Sequence, residues 1–247
     1  KSSLPTAGNG DVGACLSIPL ISRLSSKAGA SLQRIWPIQF GCLVRRSVLY
    51  SLQWIEGLPM DSLKPTICAE GLGFPEGPVW CSNGDMLLVD IHGGNIIRVN
   101  PDGATNIIAH CGGGPNGLAV GPDAKLYVCN NGGFEWIERR GRWFPGAIAE
   151  DYKSGSIQRV DPSSGAVETL YTHCSGRQLR GPNDLIFDKN GGFWFTDLGK
   201  TCGRTRDLGA LYYARPDGEH IVEVGFPLDG PNGIAIAPDE SRLFIAE

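Results

Sequence analysis

The 247-residue sequence lacks several patterns that are typical of well-known functional classes. It has no apolar run approaching the roughly 18 residues that cross a bilayer, so no membrane partner is expected. Lysine and arginine are not clustered and the net charge is −4, which argues against a nucleic-acid partner. The G-x-S-x-G motif is absent, as are the Cys/His patterns of covalent nucleophiles. A serine or cysteine hydrolase is therefore not expected.

The eight cysteines form neither a C-x-x-C pair nor a zinc-ribbon spacing. An even count is compatible with disulfides, but a domain of this size does not need them. We expect reduced, mostly buried thiols in a cytoplasmic protein.

Residues 1–63 differ in composition from the rest of the chain. They hold six basic and three acidic residues, whereas the other 184 residues hold 16 basic and 23 acidic ones. Because no helix or strand period persists in this segment, we expect a poorly structured extension. It is interpreted as leader sequence or a gene-model artefact preceding a natural start at Met60, with a targeting segment or a structured extension as alternatives.

A repeated unit organises residues 64–247, which we take as a second domain. Each unit is an apolar strand, a turn rich in Pro, Asn, Asp and Gly, and a second apolar strand, which predicts a hairpin. The step from the leading Glu or Asn to the closing polar residue is 14, 14, 14 and 15 residues. The units run over 76–90, 116–130, 183–197 and 232–247.

A second predicted hairpin follows the first three units, around residues 95–103, 156–165 and 210–218. Two hairpins make the four-stranded blade of a β-propeller, and the chain is rich in turn-forming residues, with 35 Gly and 17 Pro. The fold class is therefore all-β. Since the repeat stops after roughly four blade starts and propellers close into rings, we expect an incomplete ring whose C-terminal blades are missing.

The polar residue that begins each unit predicts a metal site. These residues are Glu76, Asn116, Asn183 and Asn232. In a propeller the first strand of every blade runs beside the central axis, so the four side chains converge on one face. Carboxylate and carboxamide oxygens suit a divalent cation, with Ca²⁺ preferred over Zn²⁺, Mg²⁺ or Mn²⁺.

An alternative interpretation is that Asn-Gly is used only for turn geometry. The third copy, Asn183-Asp184, lacks that Gly, and the first copy has Glu76 instead of Asn. Both departures favour the metal site. Such a cation supports hydrolysis of an ester, lactone or phosphoester. Asp90 and Asp197 are interpreted as turn formers, and His92 as a surface or capping residue.

Four motifs, taken in order, resemble the gluconolactonase family, which includes regucalcin (senescence marker protein) and luciferin-regenerating enzyme. They are Gly73-Phe-Pro-Glu-Gly-Pro-Val-Trp80, Leu179-Arg-Gly-Pro-Asn-Asp-Leu185, Gly192-Phe-Trp-Phe-Thr-Asp-Leu-Gly199 and Gly230-Pro-Asn-Gly-Ile-Ala-Ile-Ala-Pro-Asp239. The resemblance covers about residues 66–247. It implies a six-bladed propeller with one divalent cation on its axis and hydrolysis of a small-molecule lactone.

The resemblance also implies roles for individual residues. Glu76 and Asn232 match metal ligands, and Asn183 matches the Asn beside metal and substrate. The family's last ligand and general base is an Asp in the next blade, expected beyond Glu247, so the chain as given is expected to be inactive. Asn116 is a further substrate-binding candidate on its position alone.

One motif departs from the pattern of the sugar lactonases. Sugar-lactonase members often carry Arg two residues before the Asn that matches Asn183, where Gly181 stands here, although Arg180 is close enough to bind substrate. An aromatic insertion around residues 132–153 favours a more apolar lactone or ester, and changed specificity after its deletion would support this. A non-catalytic propeller that binds calcium or a partner is the alternative function, and an enzyme that condenses or rearranges substrates is a third.

Overall fold

The computed structural model describes residues 15–16, 48–51 and 66–247, and this part of the chain consists of strands and loops without a helix. The 23 strands are β1 Cys15–Leu16, β2 Val48–Ser51, β3 Thr66–Glu70, β4 Pro75–Cys81, β5 Met86–Asp90, β6 Asn95–Val99, β7 Thr105–His110, β8 Pro115–Val120, β9 Leu126–Asn130, β10 Phe134–Glu138, β11 Trp143–Ile148, β12 Ser156–Val160, β13 Val167–Tyr171, β14 His173–Cys174, β15 Arg177–Gln178, β16 Pro182–Phe187, β17 Phe193–Asp197, β18 Thr201–Cys202, β19 Thr205–Arg206, β20 Gly209–Ala214, β21 Ile221–Leu228, β22 Ile234–Ile236 and β23 Leu243–Ile245.

Three four-stranded antiparallel units repeat along the chain. The first is β4-β5-β6-β7, with the short β1 added beside β4, and the second is β8-β9-β12-β13. The third is β16-β17-β20-β21, and β22-β23 form one further hairpin. The hairpins predicted from the repeated sequence units are therefore confirmed. The expectation for residues 1–63 lies outside the described residues, apart from the two short strands β1 and β2.

Apolar side chains between successive sheets form the core. One cluster joins the first sheet to the second, through residues such as Val89 and Val128, and another joins the second to the third, through residues such as Tyr127 and Phe195. All five residues of β9 are buried because this sheet is covered on both faces. The sheets are therefore stacked face to face in chain order.

The first strands of the sheets lie next to one another. Strand β4 contacts β8, β8 contacts β16, and β16 contacts β22. The start of each strand is consequently beside the start of the next.

The aromatic insertion forms a hairpin of its own, with β10 paired to β11 outside the second sheet. All six cysteines of residues 66–247 are free thiols, and Cys81, Cys129 and Cys174 are buried. Half of these six thiols are buried, whereas mostly buried thiols were expected. No helix of membrane-spanning length and hydropathy is found in the described residues.

Candidate functional site

A β-bulge lies at the start of the first strand in each of the three complete sheets. The pairing register shifts between Glu76 and Val79 in β4, between Pro115 and Gly117 in β8, and between Pro182 and Leu185 in β16. A bulge turns a side chain away from the regular alternation of the strand and is common beside functional sites. The polar residues that begin the sequence units occupy these irregular positions, or precede the strand in the case of Asn232.

Glycines allow the four strand starts to approach one another. A Cβ atom on Gly77 would lie 2.7 Å from the carbonyl oxygen of Asn116, and one on Gly117 would lie 2.5 Å from that of Asn183. Gly77 also has a φ of +53°, which side-chain-bearing residues rarely adopt. Backbone contacts thus link Glu76-Gly77, Asn116-Gly117 and Asn183 in sequence order.

The fourth strand start is linked through a carboxylate rather than a glycine. Asp184 Oδ2 accepts a hydrogen bond of 3.1 Å from the backbone N–H of Ile234, two residues after Asn232. The hydroxyl of Thr196 donates to the carbonyl oxygen of Asn232 at 2.5 Å. The order Glu76, Asn116, Asn183, Asn232 along the chain is therefore also their order in space.

The interpretation of Asn116-Gly117 as a turn is wrong. Both residues lie inside β8, and the glycine is required because the next strand is too close for a side chain. Asn183 and Asp184 likewise lie inside β16, and Asp184 uses its carboxylate to bind the backbone of the following strand. The dipeptides serve the spacing of the inner strands and not chain reversal.

Two carboxyl groups at this position lie within electrostatic range of each other. Burial raises the pKa of Glu76 to about 7, the Gly77 N–H lowers it, and the charge of Asp184 raises it. Burial also raises the pKa of Asp184 to about 6, against two backbone N–H groups that lower it. No ion pair reaches either carboxyl group within the described residues. A cation between them would relieve both the desolvation and the repulsion.

The carboxamides at the site have free oxygen atoms. Among residues 66–247, the side chains of Asn116, Asn183 and Asn232 make no hydrogen bond to protein, although Asn183 is only 6% exposed. The same part of the chain contains no group of three His, Cys, Asp or Glu that could hold a metal. A cation here must therefore be bound mainly by carboxamide oxygens and one or two carboxylates, a donor set that fits a hard divalent ion.

Arg180 is near the site but is already paired. Its Nε donates to Asp207 Oδ2 at 2.8 Å, and its guanidinium carbon lies 5.7 Å from the centre of the Tyr152 ring. The side chain is 39% exposed. A substrate group can reach the outer side of the guanidinium, in competition with Asp207.

Asp90 and Asp197 tie the preceding loops to the ends of their strands. Asp90 accepts hydrogen bonds from the backbone N–H groups of Gly73 and Phe74, directly before the candidate ligand Glu76. Asp197 accepts from the N–H groups of Arg180, Gly181 and Gly199. Only the bond from Gly199 to Asp197 is local, as expected of a turn former; the other bonds hold loops that lie 16 or 17 residues earlier in the chain.

His92 packs against the aromatic insertion rather than standing at the surface. Its ring stacks on Trp143 with 4.2 Å between centroids and meets Trp136 edge-on at 5.0 Å. Phe74 lies 5.6 Å from Trp136. The insertion therefore extends from the second sheet to the residues just before Glu76 in the first.

Two features were missed from the sequence. Asp184 was noted only for lacking glycine, although that departure from Asn-Gly was the available signal for a second carboxylate. Lys200 and Asn131 lie in segments of Gly, Asn and Thr that are typical of exposed loops, yet they are 5% and 3% exposed. Their burial depends on contact with the insertion, which no local pattern predicts.

Known proteins resemble this chain over the same region. It is 28% identical over 202 residues to the gluconolactonase of Zymomonas mobilis, covering 73% of this chain and 50% of the relative. It is 29% identical over 201 residues to lactonase drp35 of Staphylococcus aureus, covering 79% and 53%. Among solved structures, a gluconolactonase from Xanthomonas campestris matches with a TM-score of 0.55 and 27% identity, covering 71% of this chain and 55% of that one.

The chain spans about half the length of the curated relatives that it matches. A model of the SMP-30/gluconolactonase/LRE-like region matches residues 74–247, which include every candidate ligand. The chain belongs to the SMP-30/gluconolactonase/LRE-like family.

Proposed function

We propose that this chain is part of a lactone hydrolase whose divalent cation is held by Glu76, Asn183 and Asn232. The observation that carries the proposal is the series of adjacent strand starts, at which a half-buried carboxyl group and three carboxamides without protein partners succeed one another. Two relatives named gluconolactonase and lactonase support a lactone as the substrate. We place the site at the axis of a six-bladed propeller, of which the described sheets form part, in a cytoplasmic enzyme.

The donor set supports the choice of cation. Carboxamide and carboxylate oxygens are hard ligands, so Ca²⁺ is favoured and Zn²⁺, Mg²⁺ or Mn²⁺ are second choices. When bound, the ion would polarise the lactone carbonyl and stabilise negative charge on its oxygen.

The remaining polar groups orient the substrate. Asn183 is only 6% exposed as a residue and its carboxamide has no protein partner among residues 66–247, so it can donate to an oxygen of the lactone and accept from its hydroxyl groups. Asn116 lies between Glu76 and Asn183 in the series and contacts the same ligand. Arg180 contributes the exposed side of its guanidinium at the rim.

The insertion determines how much of the site is open to water. Its aromatic residues Trp136 and Trp143 pack on His92, close to Phe74. An aromatic wall excludes water and favours apolar substrate groups. We therefore expect apolar lactones or esters to be hydrolysed faster than sugar lactones.

The test is hydrolysis, by the full-length protein, of a lactone panel that ranges from sugar lactones to alkyl-substituted lactones, measured as the release of acid. Chelation should abolish hydrolysis and added Ca²⁺ should restore it. Glu76→Gln should lower kcat/KM by about 100-fold or more, because it removes the carboxylate from the cation. Glu219→Gln, at an exposed loop position, is the matched control and should leave kcat/KM unchanged.

Hydrolysis that survives chelation, or that Glu76→Gln leaves intact, would overturn the proposal. Cation binding without hydrolysis of any member of the panel would instead support a non-catalytic calcium-binding protein.

A further inference from the structure

Lys200 is a buried lysine that the proposed hydrolysis does not use. It follows the end of β17 and is 5% exposed. Its Nζ donates to the carbonyl oxygen of Gly133 at 3.1 Å and lies 3.5 Å from Asn131 Oδ1. The ammonium also lies 4.2 Å from the centre of the Phe134 ring and 5.0 Å from that of Tyr152.

The charge of Lys200 has no ion-pair partner within the described residues. The carboxylate of Asp197 is nearby but accepts three backbone hydrogen bonds, and Asp207 is paired with Arg180. Burial lowers the pKa of Lys200 to about 8, while the charge of Asp197 raises it and that of Arg180 lowers it. A buried ammonium held only by carbonyl oxygens and aromatic faces is incompletely neutralised.

Asn131 provides a second buried donor beside Lys200. Its side-chain Nδ2 is the only buried side-chain nitrogen or oxygen atom of the described chain without a hydrogen-bond partner. The orientation of the carboxamide is fixed, because Oδ1 accepts a 2.8 Å hydrogen bond from the Gly133 N–H. Since Lys200 Nζ is 3.5 Å from Oδ1 of the same group, the unused N–H and the ammonium are close together.

These two donors lie on the same face as the candidate metal ligands. The backbone N–H of Asn131 donates to the carbonyl oxygen of Gly114, two residues before Asn116. Asp197, three residues before Lys200, is paired with Pro182 at the start of β16, next to Asn183. The pair therefore lies between the second and third sheets, at the same ends of the strands as the proposed site.

We propose that Lys200 and Asn131 form a subsite for a ligand carboxylate, so that the substrate is a lactone or ester carrying an acidic group. This inference rests on the proposed function for the reaction, but the subsite itself does not depend on it. A carboxylate offers two oxygens, one for the ammonium and one for the Asn131 N–H, and it supplies the missing negative charge. A buried water could accept from Asn131 but would not neutralise Lys200.

The aromatic residues define the rest of this subsite. Phe134 and Tyr152 belong to the insertion, are half-buried, and cover the ammonium from the outside. The ligand group next to the carboxylate is therefore apolar, in agreement with the aromatic wall at Trp136 and Trp143.

The test uses two probes that a hydrolase cannot cleave, cyclopentanecarboxylate and its uncharged analogue cyclopentanecarboxamide. Calorimetric titration of the full chain should show the carboxylate binding about tenfold or more tightly than the carboxamide. Lys200→Met should abolish this preference. Asn131→Asp should also abolish it, because the new carboxylate pairs with Lys200 while still accepting from the Gly133 N–H. The exposed Lys189→Met is the control and should retain the preference.

Circular dichroism and thermal unfolding will establish that each variant is folded. Asn131→Asp keeps the inference testable if Lys200→Met fails to fold, since it changes charge and not shape. Equal binding of the two probes by the wild-type chain would overturn the subsite, as would a preference that persists in Asn131→Asp. Because neither probe is hydrolysed, a failure of the lactone panel leaves this result unaffected.

Discussion

Single glycines set the distances between the strands that carry the candidate ligands. Gly117 in β8 leaves no room for a side chain: a Cβ atom there would lie 2.5 Å from the carbonyl oxygen of Asn183 and 2.7 Å from Asp184 Cα. Both atoms belong to backbone and cannot rotate away. The spacing of Asn116, Asn183 and Asp184 therefore depends on the absence of one methyl group.

We predict that Gly117→Ala destabilises the fold by about 1–3 kcal/mol, because the backbones of β8 and β16 must separate. Cation affinity should fall with it, since Asn183 is displaced. Denaturant unfolding and cation titration measure the two effects. Gly225→Ala is the control, with Leu211 Cβ at an ordinary 3.6 Å, and should change stability by less than about 0.5 kcal/mol. Equal effects of the two variants would show that the close approach is unimportant.

The ionisation of Lys200 gives a prediction for the dependence of stability on pH. Its pKa in the folded chain, about 8, lies below the value of 10.5 for an unperturbed lysine. Between these values the unfolded state binds more protons, so stability increases as pH rises. The penalty for burying the charge is complete below about pH 8 and disappears toward pH 10.5.

Relative to Lys200→Met, the wild-type free energy of unfolding should therefore rise by up to about 3 kcal/mol across this range. Chemical denaturation at a series of pH values measures this difference in the free energy of unfolding. The corresponding difference between wild type and Lys189→Met should not change with pH. A difference between wild type and Lys200→Met that does not change with pH would mean that the lysine is not buried as a charge.

For single residues, the sequence predicted the candidate ligands but not the charged groups that lie beside them. Glu76, Asn116, Asn183 and Asn232 were found because they recur at a fixed step. Asp184 and Lys200 do not recur, and their properties come from neighbouring sheets, which a single sequence does not reveal. The raised pKa of Glu76 likewise comes first from burial and only then from the charge of Asp184, more than 100 residues away in the chain.

The insertion hairpin is the element that distinguishes the second sheet from the other two. Strand β11 contacts β18, and the hairpin's tryptophans pack on His92, so it touches residues beside both the first and the third sheets. Because β10 and β11 pair only with each other, the position of the hairpin depends on these side-chain contacts.

We predict that Trp143→Ala releases the hairpin locally, since it removes the ring stacked on His92. Stability should fall by about 1 kcal/mol, and KM for apolar lactones should rise more than kcat changes. Phe144→Ala is the matched control because its side chain is next in sequence and 39% exposed. If the two variants have the same KM, the hairpin does not line the site.

Strands were predicted well and their irregularities were not. The alternation of Leu, Val and Ile with turn residues locates β4, β5, β8 and β9 directly. The bulges at the starts of the first strands were not predicted, because they follow from the close approach of neighbouring sheets. Those bulges determine where Glu76 and Asn183 point.

The whole molecule brings together residues that are far apart in sequence by stacking similar sheets. Glu76 and Asn232 are 156 positions apart, yet their strands belong to one series of contacts through β8 and β16. The repeat predicted a propeller, and the described residues show three four-stranded sheets and one further hairpin. The proposed cation site depends on this arrangement of all four strand starts.

Calorimetric titration of the chelated full-length protein with Ca²⁺ tests this proposed cation site most directly. We predict one Ca²⁺ per chain, with affinity reduced about 30-fold or more in Glu76→Gln and unchanged in Glu219→Gln. Failure of the wild-type chain to bind Ca²⁺, or the same affinity in wild type and Glu76→Gln, would contradict the account.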